Sequence, residues 1–329
     1  MKGIVYSDFG VPKNVLKIAE VEKPVLGDDE VMIKVRASSL NNADYKRFIE
    51  PVLGQEVTTA TRNLDENILK AIHKVLGMDA SGVVEQVGKN VKKVKIGDEV
   101  FGITTNMLGA WAEYACLKEN EVFLKPENLT FVESATLPVA CTVALGAVRL
   151  ADIRAGQNVL VNGATGGVGL FALQILKAFG ANVTVVCSTN NVEMVRSFGA
   201  DNVIDYKKEN FTKTDMKYDC VLAVNGYQTL EEYKNVLNDK GVYIPVGGSQ
   251  QCIEASQNGK TVFNDSSKLL KIMTIFSINR EFPYIKELAE SGAISPVVDN
   301  IFSIHEISNA IEDIVTNHAK GKVALDVVF

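Results

Sequence analysis

The stretch that decides the fold is Asn158-Val-Leu-Val-Asn162, which runs directly into Gly163-Ala-Thr-Gly-Gly-Val-Gly169 and then into the apolar segment Leu170–Phe179. The first part reads as a buried strand, the second as a glycine-rich turn, and the third as a helix. That context suits a dinucleotide. Gly166 lets the backbone approach a pyrophosphate, and Gly169 lets the helix pack closely on the strand. Ala164 stands where the first glycine of G-x-G-x-x-G usually sits. Free N–H groups at the helix start, from Gly167 and Val168 onward, and the partial positive charge there favour the diphosphate. A tight turn with packing glycines alone explains one or two glycines. The four at Gly163, Gly166, Gly167 and Gly169 point to a cofactor.

Toward the C-terminus the same alternation continues: Val183–Cys187, Val192–Phe198, Asp219–Val224, Leu230–Leu237 and Val242–Val246. Buried strands alternating with helical patterns predict βαβ units with right-handed crossovers, hence a doubly wound parallel sheet. After about Asn264 a strand (Ile272–Phe276) and a helix (Phe282–Glu290) are expected. A further strand, a helix (Ile304–Val315) and a closing strand (Lys322–Val327) follow.

Residues 1–126 carry a different rhythm. Val31–Ala37, Ala80–Val87, Glu99–Ile103 and Glu113–Cys116 are short alternating segments punctuated by Gly, Asp and Pro, as in an antiparallel or barrel-like unit. Only Phe48–Leu76 lacks a strand pattern, and Leu64, Ile68, Leu69, Ile72 and Val75 fall at helical spacing. A loop followed by a short helix is expected there, as one wall of an acceptor site.

The composition of the 329 residues, 47% hydrophobic and 22% charged, is that of a soluble globular protein able to build a core without disulfides. A net charge of −6 argues against phosphate-backbone or anionic-membrane partners. Met1–Gly10 alternates like a strand and lacks the apolar region of a signal peptide, and no segment approaches a membrane span. The five cysteines are odd in number and scattered, mostly in apolar runs, so a reduced, cytoplasmic compartment is expected.

In NAD-preferring folds an acidic residue at the end of the second strand binds the ribose 2′-hydroxyl. That strand here ends at Cys187-Ser188-Thr189, and no acidic residue occurs between Gly169 and Glu193. A carboxylate would repel a 2′-phosphate, so its absence predicts NADPH, with NADH the less favoured cofactor. Tyr206, Lys207 and Lys208, at the end of the next strand-like segment, are placed to reach the same phosphate. Ser188 as a helix cap and the two lysines as solvated charges are the plainer alternatives.

Further ordered matches run nearly end to end: Asn41-Asn-Ala-Asp44, Gly77-Met-Asp-Ala-Ser-Gly-Val-Val84, Gly97-Asp-Glu-Val-Phe-Gly102 and Gly109-Ala-Trp-Ala-Glu-Tyr114. They continue through Leu137-Pro138 with Thr142, Asn162–Gly169, Ile204-Asp-Tyr206, Val246-Gly-Gly248, Asn279-Arg280 and Gly321-Lys-Val323. With these in place the chain resembles the medium-chain dehydrogenase/reductase superfamily, in its zinc-free quinone oxidoreductase branch that includes zeta-crystallin. The resemblance implies an α/β protein with a GroES-like β-barrel catalytic domain of residues 1–126 and 265–329. A Rossmann NADP(H)-binding domain of residues 127–264 would complete it, with the active cleft between them. It implies Asn41 and Asp44 at the nicotinamide and Thr142 on its carboxamide side. Ser188, Tyr206, Asn225, Gly247, Gly248 and Asn279 would add cofactor contacts. For Tyr45 two readings stand, a proton donor or an aromatic packed at the domain seam. Asp44 is equally readable as a structural acceptor.

The zinc-dependent branch needs a Cys near positions 38–40 and a Gly-His-Glu motif. This chain has Ser38-Ser39-Leu40-Asn41 and Gly77-Met78-Asp79 there, and His73, His305 and His318 have no ligand spacing with any Cys. No zinc is expected. Without a Lewis acid, oxidising an alcohol is difficult, whereas hydride transfer to an electron-poor quinone or α,β-unsaturated carbonyl is easier. A zinc-free alcohol or aldehyde reductase and a non-catalytic, crystallin-like NADPH-binding protein are the alternatives. The expected partner is a small-molecule acceptor. A homodimer through the edge of the parallel sheet, at Leu237–Gly248 and Cys252–Phe263, is also expected.

Overall fold

The structure is a computed structural model. It describes residues 1–6, 10–49, 75–247, 267–272, 281–317 and 320–329, together with residues 255 and 263. In chain order the strands begin with β1 (Lys2–Tyr6), β2 (Leu16–Glu20), β3 (Glu30–Ser39), β4 (Asp79–Val87), β5 (Glu99–Ile103), β6 (Tyr114–Lys118) and β7 (Val122–Leu124). Next come β8 (Asn158–Asn162), β9 (Asn182–Cys187), β10 (Asn202–Asp205), β11 (Tyr218–Ala223), β12 (Leu237–Pro245) and β13 (Leu269–Leu270). The series closes with β14 (Val298–Ser303) and β15 (Lys322–Asp326). The chain divides into two compact units. The first holds Met1–Ala140, Phe282–Glu290 and Pro296–Phe329, and the second holds Cys141–Glu281 and Ser291–Ser295.

In the first unit β1 and β2 form an antiparallel ribbon, and a seven-stranded sheet runs β14-β15-β3-β4-β5-β7 with β6 also on β3. The ten-residue β3 organises it. One edge pairs with β4 along its length, while the other is shared by β6, along Glu30–Lys34, and β15, along Ala37–Ser39. Alternate β3 residues Val31, Ile33 and Val35 enter the core with Leu76, Trp111, Leu117, Val323 and Leu325. Trp111 is fully buried, and Gly77, at φ +99, makes room for it: a Cβ there would stand 2.4 Å from the indole Cδ1.

In the second unit the six strands are all parallel, in the order β10-β9-β8-β11-β12-β13. By chain order this is 3-2-1-4-5-6, the Rossmann arrangement. Tyr233 stacks on Tyr243, with ring centroids 4.8 Å apart, over a core that includes Leu160, Phe211 and Val221.

Leu269–Leu270 forms a short strand beside Val242 and Tyr243 of β12. Of the strand expected at 272–276, residues 273–276 lie outside the described residues, and so do residue 248 and, apart from residue 255 and residue 263, the segment 252–263 of the expected dimer edge. Of the loop and helix expected over 48–76, Phe48 and Ile49 instead close the helix Asn42–Ile49, Val75 and Leu76 are buried, and residues 50–74 lie outside the described residues. Among the described residues no helix is long and apolar enough to cross a membrane.

Among the described residues four cysteines are free: Cys141, Cys187 and Cys220 are buried and Cys116 is half-buried. Burial pushes the Cys141 and Cys220 thiols well above their ordinary range. Burial and the Asp205 carboxylate push Cys187 up to about 11, and burial with Glu30 pushes Cys116 up to about 12. Because only the thiolate is a strong nucleophile, iodoacetamide at pH 7.5 is expected to leave all four unmodified over an hour in the native protein. Peptide mass analysis should find them alkylated only after denaturation; rapid native labelling at Cys187 would contradict its buried placement.

Candidate active site

β8 ends at Asn162, the chain turns at Gly163 with φ +87, and Gly166 caps the helix Gly167–Ala178. The glycines do different things. A Cβ on Gly169 would lie 2.3 Å from the Gly163 carbonyl oxygen, so the helix packs on the backbone of its own turn. A Cβ on Gly163 would lie 2.6 Å from the Asn225 nitrogen. At Gly166 a Cβ would meet nothing within 4 Å, so this backbone faces open space, while Ala164 is fully buried.

Strand register brings the partners of the turn together. The Asn162 carbonyl accepts from the Val224 and Asn225 N–H groups, and the Ala223 carbonyl accepts from Val246 and Gly247. The Asn162 side chain, donating to Gln228 and to the Tyr233 hydroxyl at 2.8 Å each, anchors the strand end. Gly163, Asn225 and Gly247 thus converge at the carboxyl ends of β8, β11 and β12. The strand order reverses between β8 and β11, which is where open α/β sheets bind ligands. Thr142 is buried in the helix Pro138–Ala151. Gly248 and Asn279 lie outside the described residues.

At the end of β9, the Ser188 hydroxyl accepts from Asn191 Nδ2 at 3.2 Å, and Tyr206 is 58% exposed. Sequence reasoning missed one residue here. β10 pairs with β9 so that Asp205 lies opposite Cys187, and the Thr189 hydroxyl donates to Asp205 Oδ2 at 2.6 Å. A carboxylate therefore does reach this strand end, from the neighbouring strand. The Lys207 N–H donates to it at 3.1 Å and the Lys208 ammonium lies 3.3 Å away. The Thr189 hydroxyl first, then these two groups, hold Asp205 below the usual carboxylate range against the opposing effect of burial. The signals were the Ile204-Asp-Tyr206 match and the strand-like segment before Tyr206, and both needed the β9–β10 register to be read.

In the first unit, Asn41 precedes the helix Asn42–Ile49. Its N–H donates to Asp44 Oδ2 at 2.8 Å, the back half of a capping box that fixes the helix start. Asp44 is buried, and so is Tyr45, whose hydroxyl donates to Asn42 Oδ1 at 2.7 Å while its ring joins the core. Around the Asn41 side chain lies a buried polar group. Asn41 Nδ2 donates to Asp79 Oδ2 at 2.8 Å, and Asn41 Oδ1 accepts from the Lys322 ammonium at 2.6 Å. Lys322 also donates to the Leu40 carbonyl at 2.8 Å and stands 3.5 Å from Asp79 Oδ2. Asp79 accepts as well from the Ser39 hydroxyl at 2.6 Å and the Val139 N–H at 2.9 Å. Burial pulls the Lys322 ammonium below its ordinary value, opposed by Asp79 and then Asp44.

These residues do not fit a catalytic metal. Asp79 is committed to an ammonium and three donors, the Ser38 hydroxyl donates to the Asp79 carbonyl, and Met78 is buried. Among the described residues no group of three His, Cys, Asp or Glu is placed to hold a metal ion. Of the histidines, His305 packs edge-on against Phe329.

Two family descriptions match the chain: an alcohol dehydrogenase GroES-like domain over residues 27–127 and a zinc-binding dehydrogenase over residues 198–325. The 2-methylene-furan-3-one reductase of Solanum lycopersicum is 33% identical, over 99% of this chain and 79% of the relative. The chloroplastic NADPH-dependent alkenal/one oxidoreductase of Arabidopsis thaliana is 34% identical over the same shares. The solved quinone oxidoreductase of Coxiella burnetii superposes with a TM-score of 0.86 at 28% identity, covering 100% of this chain and 99% of that one. The chain belongs to the medium-chain dehydrogenase/reductase superfamily, among its quinone oxidoreductase-like members. It is an oxidoreductase built from a GroES-like domain and a Rossmann-type sheet.

Proposed function

We propose that the chain is an NADPH-dependent reductase of α,β-unsaturated carbonyls or quinones that works without zinc. The observation that carries this reading is the open space over Gly166 at the carboxyl ends of β8 and β11. When bound, the nicotinamide cofactor supplies the hydride. The N–H groups at the start of the helix Gly167–Ala178 hold the diphosphate. Ser188 and Tyr206, with Lys207 and Lys208 nearby, hold the 2′-phosphate, and Lys208 offsets the Asp205 charge beside them. Asn41 offers an amide to the oxygen that gains charge as the acceptor is reduced. The Tyr45 proton is committed to Asn42, which favours water as the source of the proton that completes the reduction. The Arabidopsis relative supports the cofactor, and both plant relatives support the acceptor class. The commitment of Asp79 to Lys322 supports zinc independence. The free cysteines support a reducing, cytoplasmic setting, and the exposed edge at Leu269 supports a homodimer.

NADPH consumption should be followed by fluorescence with 1,4-naphthoquinone, but-3-en-2-one and simple aldehydes, before and after chelation. Turnover of the first two, unchanged by the chelator, is expected. Turnover of aldehydes alone would move the reading to a carbonyl reductase, and tight binding without consumption to a non-catalytic role. NADPH is expected to bind more tightly than NADH at one ionic strength. Ser188→Asp should weaken NADPH by about tenfold, a penalty near 1.4 kcal/mol, and NADH much less; an equal loss for both would remove Ser188 from the phosphate site.

A further inference from the structure

Asn41 carries two polar atoms on its carboxamide, and each faces a group that permits only one orientation. Lys322 can only donate, so it requires Oδ1; an ionised Asp79 can only accept, so it requires Nδ2. A flipped amide would set an N–H against the ammonium and an oxygen against the carboxylate. The two charges come from opposite sides of β3. Lys322 opens β15 and Asp79 opens β4, and both strands pair with Ser39 or its neighbours. Lys322 is 5% exposed and Asp79 is fully buried. A buried ion pair of this kind is weak evidence for stability, because apolar replacements often serve as well, so its placement calls for another account. Asn41 is only half-buried, and after these bonds it retains one Nδ2–H and one Oδ1 lone pair.

We propose that Lys322 and Asp79 are positioning residues that lock the Asn41 carboxamide in a single orientation, with its remaining N–H fixed for the acceptor oxygen. The inference rests on the assignment of Asn41 to the active site made above. Lys322 and Asp79 touch neither cofactor nor acceptor; their effect on the reaction passes through Asn41.

The test is a double-mutant cycle on the full chain, with but-3-en-2-one as acceptor. Lys322→Met is expected to lower kcat about tenfold or more, as loss of orientation does, with the NADPH Kd held within about twofold. In an Asn41→Ala background the same Lys322→Met change should alter kcat by less than about twofold, since its route is already removed. If Lys322→Met does not accumulate as folded protein, the charge-neutral pair Lys322→Met/Asp79→Asn carries the same cycle. Equal losses of kcat in both backgrounds, or a loss confined to KM, would overturn the lock. Asn41→Ala with unaltered kcat would also overturn it. Wild-type protein that binds NADPH but does not consume it with but-3-en-2-one or 1,4-naphthoquinone would instead overturn the active-site reading, and this inference with it.

Discussion

Gly169→Ala is expected to cost about 3 kcal/mol, because the new methyl would be driven into backbone rather than into a side chain free to move. Its Cβ would stand 2.3 Å from the Gly163 oxygen and 2.7 Å from Ala164 Cα, so the helix has to lift off the strand. Gly166→Ala, only three positions earlier, is expected to change stability by less than about 1 kcal/mol. Gly166 has ordinary helix-cap dihedrals, with φ −82 and ψ 172, and open space around it. At that site the small capping penalty of alanine and its lower unfolded-state entropy oppose each other. The same methyl should weaken NADPH binding about tenfold or more, since it occupies the approach to the diphosphate. Hydrogen exchange across the helix Gly167–Ala178 reads the first effect, and NADPH titration reads the second. Two variants equally destabilised, or a Gly166→Ala protein that binds NADPH like the parent, would remove the turn from the cofactor site.

The second large effect belongs to the other unit. Asp79→Asn is expected to destabilise the first unit by about 3 kcal/mol, within the range for breaking a buried pair by removing one partner. The new amide would face the Lys322 ammonium, the Ser39 hydroxyl and the Val139 N–H, donors set against a group that now donates too. Adding Lys322→Met should recover much of that loss by removing the stranded cation. The chain's single tryptophan, Trp111, lies buried in this unit, so its fluorescence in urea follows this transition rather than that of the parallel sheet. If the single and double variants shift the midpoint equally, the charge of Asp79 contributes nothing through its partner.

Local pattern made much of the architecture legible. The buried run Asn158–Asn162 and the amphipathic Phe282–Glu290 appear with the boundaries their periodicity gives, because strand and helix periods are set by neighbours in sequence. Gly163, Asn225 and Gly247 meet because parallel strands in this order must bring their carboxyl ends together. What stayed hidden depends on register between distant strands. Asp205 reaches Thr189 only once β10 is laid against β9. Lys322 reaches Asn41, 281 positions away in the chain, only once β15 closes on β3. The two-residue β13 was hidden for another reason: a strand so short carries no period of its own and is held by the two residues opposite. Tyr45 shows the complement. Its place in sequence leaves a proton donor and a packed aromatic both open, while its burial and its bond to Asn42 are decided by packing.

The interleaving of the two units sets an order of events during synthesis. The segment Cys141–Glu281 supplies its own parallel sheet, so it can close as soon as it has left the ribosome. The unit begun before it cannot. Its central strand β3 lacks β15 until residues 322–326 emerge, and the Asp79 carboxylate waits for Lys322 until then. The part of the chain made first is therefore completed last, with one edge of its sheet open while the rest of the protein is translated. A nascent chain stalled before residue 322 should already have a protected parallel sheet, with Ala37–Ser39 still accessible to a chaperone or a protease.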